Sequence, residues 1–348
     1  MRLGLNLGYF GRAEDAERLE LAVAAERAGY SIVWAAEAYG SDAPTVLAWI
    51  GARTQRIEVG SAVMQIPART PAMTAMTAAT LDTLTGGRFA LGLGVSGPQV
   101  SEGWHGVPFA HPLGRTREYV EIVRAALRRE RLRYEGRHYQ LPLPEGPGQA
   151  LRLTMAPPRP DLPVYLAAVG PRNLELAGEV ADGWLSVFFA PGHADASLAA
   201  LRAGRERVGR DLDGFDVVAS VPLVVGPDWR RCADAVRPHA ALYVGGMGSR
   251  KQNFYRDMAA RMGFEREAEE VQRRYLDRDH AGAMAALPLE FLDAVSLLGP
   301  KERITERMTV LAGAGVTTLA VNPLVPDVTQ AADTLRIAAE AWDASGVG

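Results

Sequence analysis

The sequence contains few of the residues on which several classes of protein depend. Its 348 residues include one cysteine, Cys232, which excludes an internal disulfide and a metal site built from several cysteines. We expect Cys232 to be a small core residue rather than a redox group. Lysine occurs at two positions, Lys251 and Lys301, and arginine supplies the remaining positive charge. The formal net charge of −3, without a basic stripe, argues against a nucleic-acid partner.

Long apolar runs are also absent. No stretch of 18 or more apolar residues occurs, so we expect no membrane span. The first ten residues are followed too quickly by acidic residues to be a signal peptide, and we therefore expect a cytoplasmic protein. The hydrophobic fraction of 48% and the charged fraction of 23% are typical of a folded globular chain with a sizeable core.

Short apolar runs of strand length alternate with longer helical patterns along the chain. The runs, mostly continuous as in parallel strands covered on both faces, are residues 3–7, 32–36, 57–64, 88–93, 164–169, 184–189, 217–225 and 318–321. The clearest helical patterns are residues 13–28, 42–53, 73–84, 173–181 and 327–342. Eight strand–helix units predict an α/β protein with the (β/α)₈ TIM-barrel fold, while an open doubly wound sheet stays compatible with the strand count.

Two connections are longer than a normal loop. Residues of about 95–162 contain a helical stretch and a predicted hairpin that turns at Glu135-Gly136. Residues 226–315 are predicted to be almost wholly helical, with 251–261 and 265–275 as the clearest pieces. We interpret both as helical insertions on the C-terminal rim of a single domain that spans residues 1–348.

The residues that follow the strands predict the composition of the barrel mouth, where such folds place their chemistry. They are Tyr9, Glu37, Met64-Gln65, Val95-Ser96-Gly97, Gly170-Pro171-Arg172-Asn173, Phe188-Phe189 and Asn322-Pro323. This set is mostly small and apolar, with one carboxylate. It offers no Ser/His/Asp arrangement and no cluster of metal ligands, so we predict no metal site. Such a mouth suggests that a bound cofactor carries the chemistry.

The fifth strand–helix turn has the features of an anion site. Gly170 leads into a helix whose first residue is Pro171, and Arg172 lies beside the free backbone N–H groups. A ligand that carries a phosphate would fit this turn. An ordinary helix cap is an equally good interpretation of the same residues.

A glycine motif follows the fourth strand. Residues 92–97 match G-x-G-x-x-G, and Glu118 follows about 20 residues later, as in dinucleotide-binding proteins. In those proteins a helix begins at once after the motif, whereas here Pro98 and a polar run follow. We therefore favour glycines that let a flat ligand approach the backbone over a nicotinamide site.

Two titratable residues are candidates for catalysis. Glu37 follows the apolar second strand, where a buried carboxylate is costly unless it is paired or used in the reaction. A salt bridge or a helix cap is its structural alternative. His105 lies beside Trp104 in a predicted rim loop, where most histidines are simply solvated.

The chain resembles the luciferase-like flavin and deazaflavin oxidoreductases, and within them the branch that depends on coenzyme F420. The segments that carry the resemblance are residues 63–77, 81–97, 102–106, 163–171, 181–184 and 243–247. Several long matches in the right order over nearly the whole chain make the resemblance specific.

The resemblance implies a homodimeric barrel with a long insertion after the seventh strand and the deazaflavin F420 across the mouth. It implies a cis peptide between Ala62 and Val63, at a bulge against which the ring lies. The residues implied to bind the cofactor are Ala62, Val63, Gln65, Gly94, Val95, Ser96, Gly97, Ala168, Val169 and Gly170, and the anion turn adds Pro171 and Arg172. The implied catalytic residues are Glu37 and, second, His105. An FMN-dependent monooxygenase, or a non-catalytic ligand-binding barrel, would have the same pocket.

The sequence departs from the pattern of one subgroup. The sugar-phosphate dehydrogenases of the family place a His directly after the acid at the position of Glu37, whereas Ala38 follows here and lysine is nearly absent. A sugar phosphate is therefore a poor candidate. The departure favours a small apolar or aromatic substrate, such as an enone, an imine or an alcohol.

Overall fold

The computed structural model describes residues 1–8, 17–325 and 327–348, and its main feature is a closed parallel barrel. Eight strands form the barrel: β1 (Arg2–Asn6), β2 (Ile32–Ala35), β3 (Glu58–Ser61), β5 (Phe89–Gly94), β8 (Val164–Ala167), β9 (Gly183–Val187), β10 (Asp216–Val225) and β12 (Thr318–Pro323). Each pairs in parallel with the next, and the pairing of β9 with β10 and of β12 with β1 closes the ring. The predicted (β/α)₈ TIM barrel is confirmed, and the open sheet is excluded.

Helices follow the strands and cover the outside of the barrel. They are α1 (Glu20–Arg27), α2 (Ala43–Arg53), α3 (Pro71–Leu84), α5 (Pro112–Leu127), α6 (Pro171–Val180), α7 (Ala194–Glu206), α13 (Lys301–Gly313) and α14 (Val328–Ser345). Local chemistry sets their ends. In α3, the Thr70 side chain accepts from the Met73 N–H, and Gly86 and Gly87 have positive φ after the last turn. Tyr9 and the first residues of the predicted helix 13–28 lie outside the described residues. Helix α1 forms within the described part of that prediction.

The inner face of the barrel carries a small apolar cluster, and a larger apolar core fills the space between strands and helices. Strand residues alternate between these two clusters, because successive side chains point to opposite faces. On β2, Ile32 and Trp34 belong to the inner cluster, whereas Val33 and Ala35 pack toward the helices. The same alternation on the other strands identifies which residues face the mouth.

The first long connection contains more regular structure than predicted. It holds α4 (Pro98–Gly103), α5 and a hairpin of β6 (Tyr134–Glu135) with β7 (Gln140–Leu141). The hairpin is confirmed. The expectation that no helix begins directly after Gly97 is wrong, because Pro98 occupies a first helical turn without needing an N–H donor. The nicotinamide alternative fails instead because this strand belongs to a closed barrel.

The second long connection forms an apolar core of its own. It contains α8 (Trp229–Ala241), α9 (Phe254–Ala259), α10 (Glu265–Leu276), α11 (His280–Ala285) and α12 (Leu289–Ala294), with π-helical turns around residues 242–246 and 260–264. Cys232 is buried in that core, as predicted. A short strand that the sequence analysis missed, β11 (Leu297–Gly299), pairs in parallel with the end of β10. No helix in the described part of the chain is long and apolar enough to cross a membrane.

Candidate active site

The third barrel strand ends in a backbone ridge at the mouth. The peptide between Ala62 and Val63 is cis, as predicted, and β4 (Met64–Gln65) resumes pairing with β5 beyond it. The Ala62 N–H donates to the Ala35 carbonyl at 2.8 Å, which holds the ridge against β2. Both ridge side chains pack on the inner cluster that contains Trp34. The ridge therefore forms one side of the mouth, above an aromatic floor.

Glycines of β5 leave room for this ridge. A Cβ atom on Gly92 would lie 1.8 Å from the Ser61 carbonyl oxygen, so no side chain fits there. A Cβ atom on Gly94 would lie 2.6 Å from Cγ2 of Val63. These glycines serve the close approach of two strands, which gives both of them a structural role, and the approach of a flat ligand at Gly94 stays a prediction.

Glu37 is held by four hydrogen bonds at the mouth. The N–H groups of Gln65 and Ala43 donate to its two oxygens at 2.9 and 3.1 Å, and both terminal nitrogens of Arg69 donate to them as well. Its side chain is 5% exposed. Burial alone would lower the pKa of Arg69, but its contacts with Glu37 and the charge of Asp42 outweigh burial and raise it. Glu37 thus forms the salt bridge that was the structural alternative to catalysis, and its catalytic role stays a prediction.

Gln65 joins the ends of three strands. Its amide nitrogen donates to the Ala38 carbonyl at 2.7 Å, and its amide oxygen accepts from the Ser96 hydroxyl at 2.9 Å. Gln65 is 4% exposed, and Ser96 has a positive φ of 61°. The structure thus brings Gln65 into contact with Ser96, a second residue of the predicted cofactor site. Direct contact of Gln65 with a cofactor ring stays a prediction.

The fifth strand–helix turn has an open helix start. Helix α6 begins at Pro171 after Gly170, whose position has no side-chain cap and no atom within 4 Å of a would-be Cβ. Arg261, from the second insertion, donates to the Val169 carbonyl at 3.1 Å. Within residues 1–8, 17–325 and 327–348, neither Arg172 nor Arg261 forms an ion pair with a carboxylate. At this start, Pro171 has no N–H, and the N–H groups of Asn173 and Leu174 donate to the Gly170 carbonyl at 3.0 Å. Two guanidinium groups accompany this helix start, and the anion site itself stays a prediction.

His105 lies on the loop after α4, beside the exposed Trp104. The ring of His105 is half-buried, and its Nε2 atom is buried without a hydrogen-bond partner among the described residues. Its backbone N–H donates to the Val100 carbonyl at 3.1 Å. The catalytic role of His105 stays a prediction.

A polar wall faces the ridge across the mouth, and the sequence analysis placed only Asn322 of this wall at the mouth. Asn6 on β1 donates from Nδ2 to the Ser220 hydroxyl of β10 at 2.5 Å. Asn322 on β12 has a buried Oδ1 atom without a partner in the described ranges. The alternation of each strand was the signal that could have found these residues, because all three share the inner face of their strands.

An aromatic group lies in the core of the second insertion, against the end of β9. Phe188 has a positive φ of 55° and contacts the rings of His239, Tyr243, Tyr255 and Phe291. Burial lowers the pKa of His239 to about 4, so the ring is neutral at pH 7. Among the described side chains, no group of three or more His, Cys, Asp or Glu residues could hold a metal ion.

The sequence profile of the family described as luciferase-like monooxygenase matches residues 8–318. The chain belongs to this family. A Mycobacterium tuberculosis protein, whose name proposes a coenzyme F420-dependent oxidoreductase, is 43% identical over 92% of this chain and 95% of its own. The 5,10-methylenetetrahydromethanopterin reductase of Archaeoglobus fulgidus is 28% identical over 87% of this chain and 88% of its own.

Solved structures show the same fold. The coenzyme F420-dependent tetrahydromethanopterin reductase of Methanopyrus kandleri superposes with a TM-score of 0.83, at 24% identity over 98% of this chain and 97% of its own. An F420-dependent secondary alcohol dehydrogenase, in complex with an F420-acetone adduct, superposes with a TM-score of 0.80, at 19% identity over 99% and 98% of the two chains. At these levels of sequence identity, the superpositions establish a shared fold and nothing about substrate or mechanism.

Proposed function

We propose that the chain is an F420-dependent oxidoreductase, which transfers hydride between the deazaflavin and a small organic substrate. The observation that carries the proposal is the 43% identity, over nearly the whole chain, to a relative whose name proposes F420 dependence. The relatives named as F420-dependent glucose-6-phosphate dehydrogenases support the same cofactor. When bound, the cofactor would supply a two-electron hydride donor or acceptor, and the protein would position the substrate and manage one proton.

The residues at the mouth fit such a cofactor. The apolar ridge at Ala62-Val63 and the small residues Gly94 and Ala167 leave a flat surface for a ring. The uncapped start of α6, with Arg172 and Arg261 beside it, suits an anionic group at the other end of the same molecule. A molecule with a neutral ring and an anionic tail would place its ring on the ridge and its tail at the start of α6.

We propose distinct roles for the two candidate catalytic residues. Glu37 holds the Gln65 backbone and Arg69, so it fixes the ridge on which the ring would lie. His105 carries an unpaired ring nitrogen on a rim loop, which suits a group that accepts or donates the proton. The cytoplasm is the proposed location, as expected from the sequence.

The proposed substrate is small and uncharged, such as an enone, an imine or an alcohol. Arg69 is already neutralised by its ion pairs with Glu37 and Asp42. A substrate phosphate would therefore find no free partner in Arg69, and the polar wall of Asn6, Ser220 and Asn322 carries no charge. This distinguishes the chain from the relatives named as glucose-6-phosphate dehydrogenases, one of which is 33% identical over 66% of this chain.

Cofactor choice is the direct test of the proposal. We expect purified protein to bind F420 with a dissociation constant in the micromolar range or below, about −8 kcal/mol, and FMN at least about 100-fold more weakly. Fluorescence titration of both cofactors measures this. Equal or tighter binding of FMN would instead indicate an FMN-dependent monooxygenase.

Arg172→Gln should weaken F420 binding about tenfold, since one charge-assisted contact is lost. Arg231→Gln, at an arginine that is 89% exposed on α8, is the matched control.

We also propose a homodimer that forms through α2 and α3. Trp49, Met73 and Met76 are each about half exposed on these two neighbouring helices, an unusual grouping of large apolar side chains. A chain of 37.4 kDa should sediment as a dimer at micromolar concentration, and the double variant Met73→Glu, Met76→Glu as a monomer. Val310→Glu, at a half-exposed valine of α13, should leave the dimer intact. A wild-type monomer would remove the claim.

A further inference from the structure

Asn322, near the end of the last barrel strand, has an amide oxygen that is buried without a hydrogen-bond partner in residues 1–8, 17–325 and 327–348. On β12, Leu319 and Val321 pack toward the helices, and Ala320 belongs to the inner cluster. Asn322 therefore shares the inner face with Ala320 and lies one step nearer the mouth. A buried amide oxygen normally has a partner, because leaving it unpaired destabilises the fold.

The neighbouring strand offers a free donor. Ser220 lies opposite Ala320 in the pairing of β10 with β12, and Pro222 lies opposite Asn322. The Ser220 hydroxyl accepts from Asn6 Nδ2, so its own hydrogen points elsewhere, and it has no acceptor within the described part of the chain. Asn6 is held in place, since its Oδ1 accepts from the Gly8 N–H at 2.8 Å. The groups that the wall leaves unused include the Ser220 hydroxyl hydrogen and the Asn322 amide oxygen.

The unused groups determine what they can bind. The inner-face positions near the mouth on β1, β10 and β12 are Asn6, Ser220, Pro222 and Asn322, none of which is charged. A phosphate or a carboxylate would lack a counter-charge there, and a hydrocarbon would leave the amide unpaired. A hydroxyl group both donates and accepts, and a carbonyl accepts from the Ser220 hydroxyl and from an amide N–H.

We propose that Asn322 and Ser220 form a subsite for the hydroxyl or carbonyl oxygen of a neutral substrate. The inference rests on the proposed function, because the polar wall faces the ridge assigned to the cofactor ring. It narrows the substrate from small organic molecules in general to those whose oxygen-bearing carbon lies between ridge and wall. Asn322 thereby determines specificity without taking part in cofactor binding.

The first experiment measures stability and needs no ligand. Asn322→Leu removes the unpaired amide at nearly constant size, so the melting temperature should rise by about 1–3 °C. Asn253→Leu is the matched control. Asn253 is fully buried with its amide bonded to the Val244 carbonyl and to the N–H groups of Tyr255 and Arg256. That variant should melt at least several degrees lower. A lowered melting temperature for Asn322→Leu would overturn the proposal, since the amide would then have a structural partner.

The second experiment uses crystals of the F420-loaded protein soaked with 2-propanol and, separately, with acetone. We expect the oxygen of either probe within hydrogen-bond distance of Asn322 and of the Ser220 hydroxyl, and no such density in Asn322→Leu. A fixed water that neither probe displaces would overturn the subsite. If the protein binds no F420 and Asn322→Leu is nevertheless stabilised, the proposed function fails while the unpaired amide stands, so the two failures are distinguishable.

Discussion

Replacing Glu37 by glutamine should lower turnover by about 100-fold, destabilise the protein and weaken cofactor binding together. The carboxylate accepts from Arg69, from the Gln65 N–H and from the Ala43 N–H, and a glutamine amide would turn a donor toward one of these donors. Loss of one partner of a buried ion pair costs about 3–5 kcal/mol. A displacement of the ridge by about 1 Å is enough for a 100-fold loss of rate. Thermal melting, F420 titration and single-turnover kinetics measure the three effects.

The companion variant Arg69→Met separates positioning from proton transfer. It keeps the carboxylate and removes its cation, so a positioning role predicts losses of rate and affinity similar to those of Glu37→Gln. A proton-transfer role predicts that Arg69→Met retains turnover. In that case Glu37→Gln should lose about 10²–10⁴-fold in turnover at unchanged F420 affinity, as expected for removal of a general acid or base. That second pattern would return the catalytic role from His105 to Glu37.

Replacing Gly92 by alanine should have the largest effect on stability. The added Cβ would lie 1.8 Å from the Ser61 carbonyl oxygen and 2.7 Å from Cδ1 of Leu185. The first of these atoms belongs to the backbone of β3, so β3 and β5 must separate. We expect a loss of about 4 kcal/mol or more, which would leave little folded protein on expression. Circular dichroism and thermal melting measure the loss.

Two glycines of the same mouth provide graded controls. At Gly94 the added Cβ would lie 2.6 Å from a side-chain atom of Val63, which can shift, so we expect about 1–3 kcal/mol of destabilisation together with weaker F420 binding. At Gly170 nothing lies within 4 Å, and Gly170→Ala should melt like the wild type. Equal melting temperatures for all three variants would contradict the assignment of Gly92 as a packing residue.

Strong local signals account for the elements that sequence alone could predict. Most barrel strands are continuous apolar runs between turn residues, and β5 and β10 lie close to their predicted bounds. The missed strand β11 has three residues, Leu297–Gly299, between two helices, too short for any periodicity. The helix α4 was missed because a proline after a glycine motif was interpreted as a break, although proline suits the first helical turn.

Contacts between distant residues account for what sequence could not predict at the site. The resemblance placed Gln65 and Ser96 near each other, but their hydrogen bond, and that of Gln65 to the Ala38 carbonyl, depend on backbone positions fixed by pairing of separate strands. The partner of Glu37 was equally hidden, because Arg69 lies 32 residues later in the chain. The unpaired amide oxygen of Asn322 could not be predicted from sequence, because it depends on the absence of a hydrogen-bond donor from the surrounding described residues.

The separate apolar core of the second insertion has a consequence for how the protein can diverge. Phe188, Val236, Val271 and Phe291 pack with one another there, whereas the strand–helix core of the barrel uses other residues. Substitutions that repack this core act on the second insertion and leave the strand–helix core in place. The insertion can therefore accumulate changes in its own core while the residues that close the barrel and form the ridge are retained.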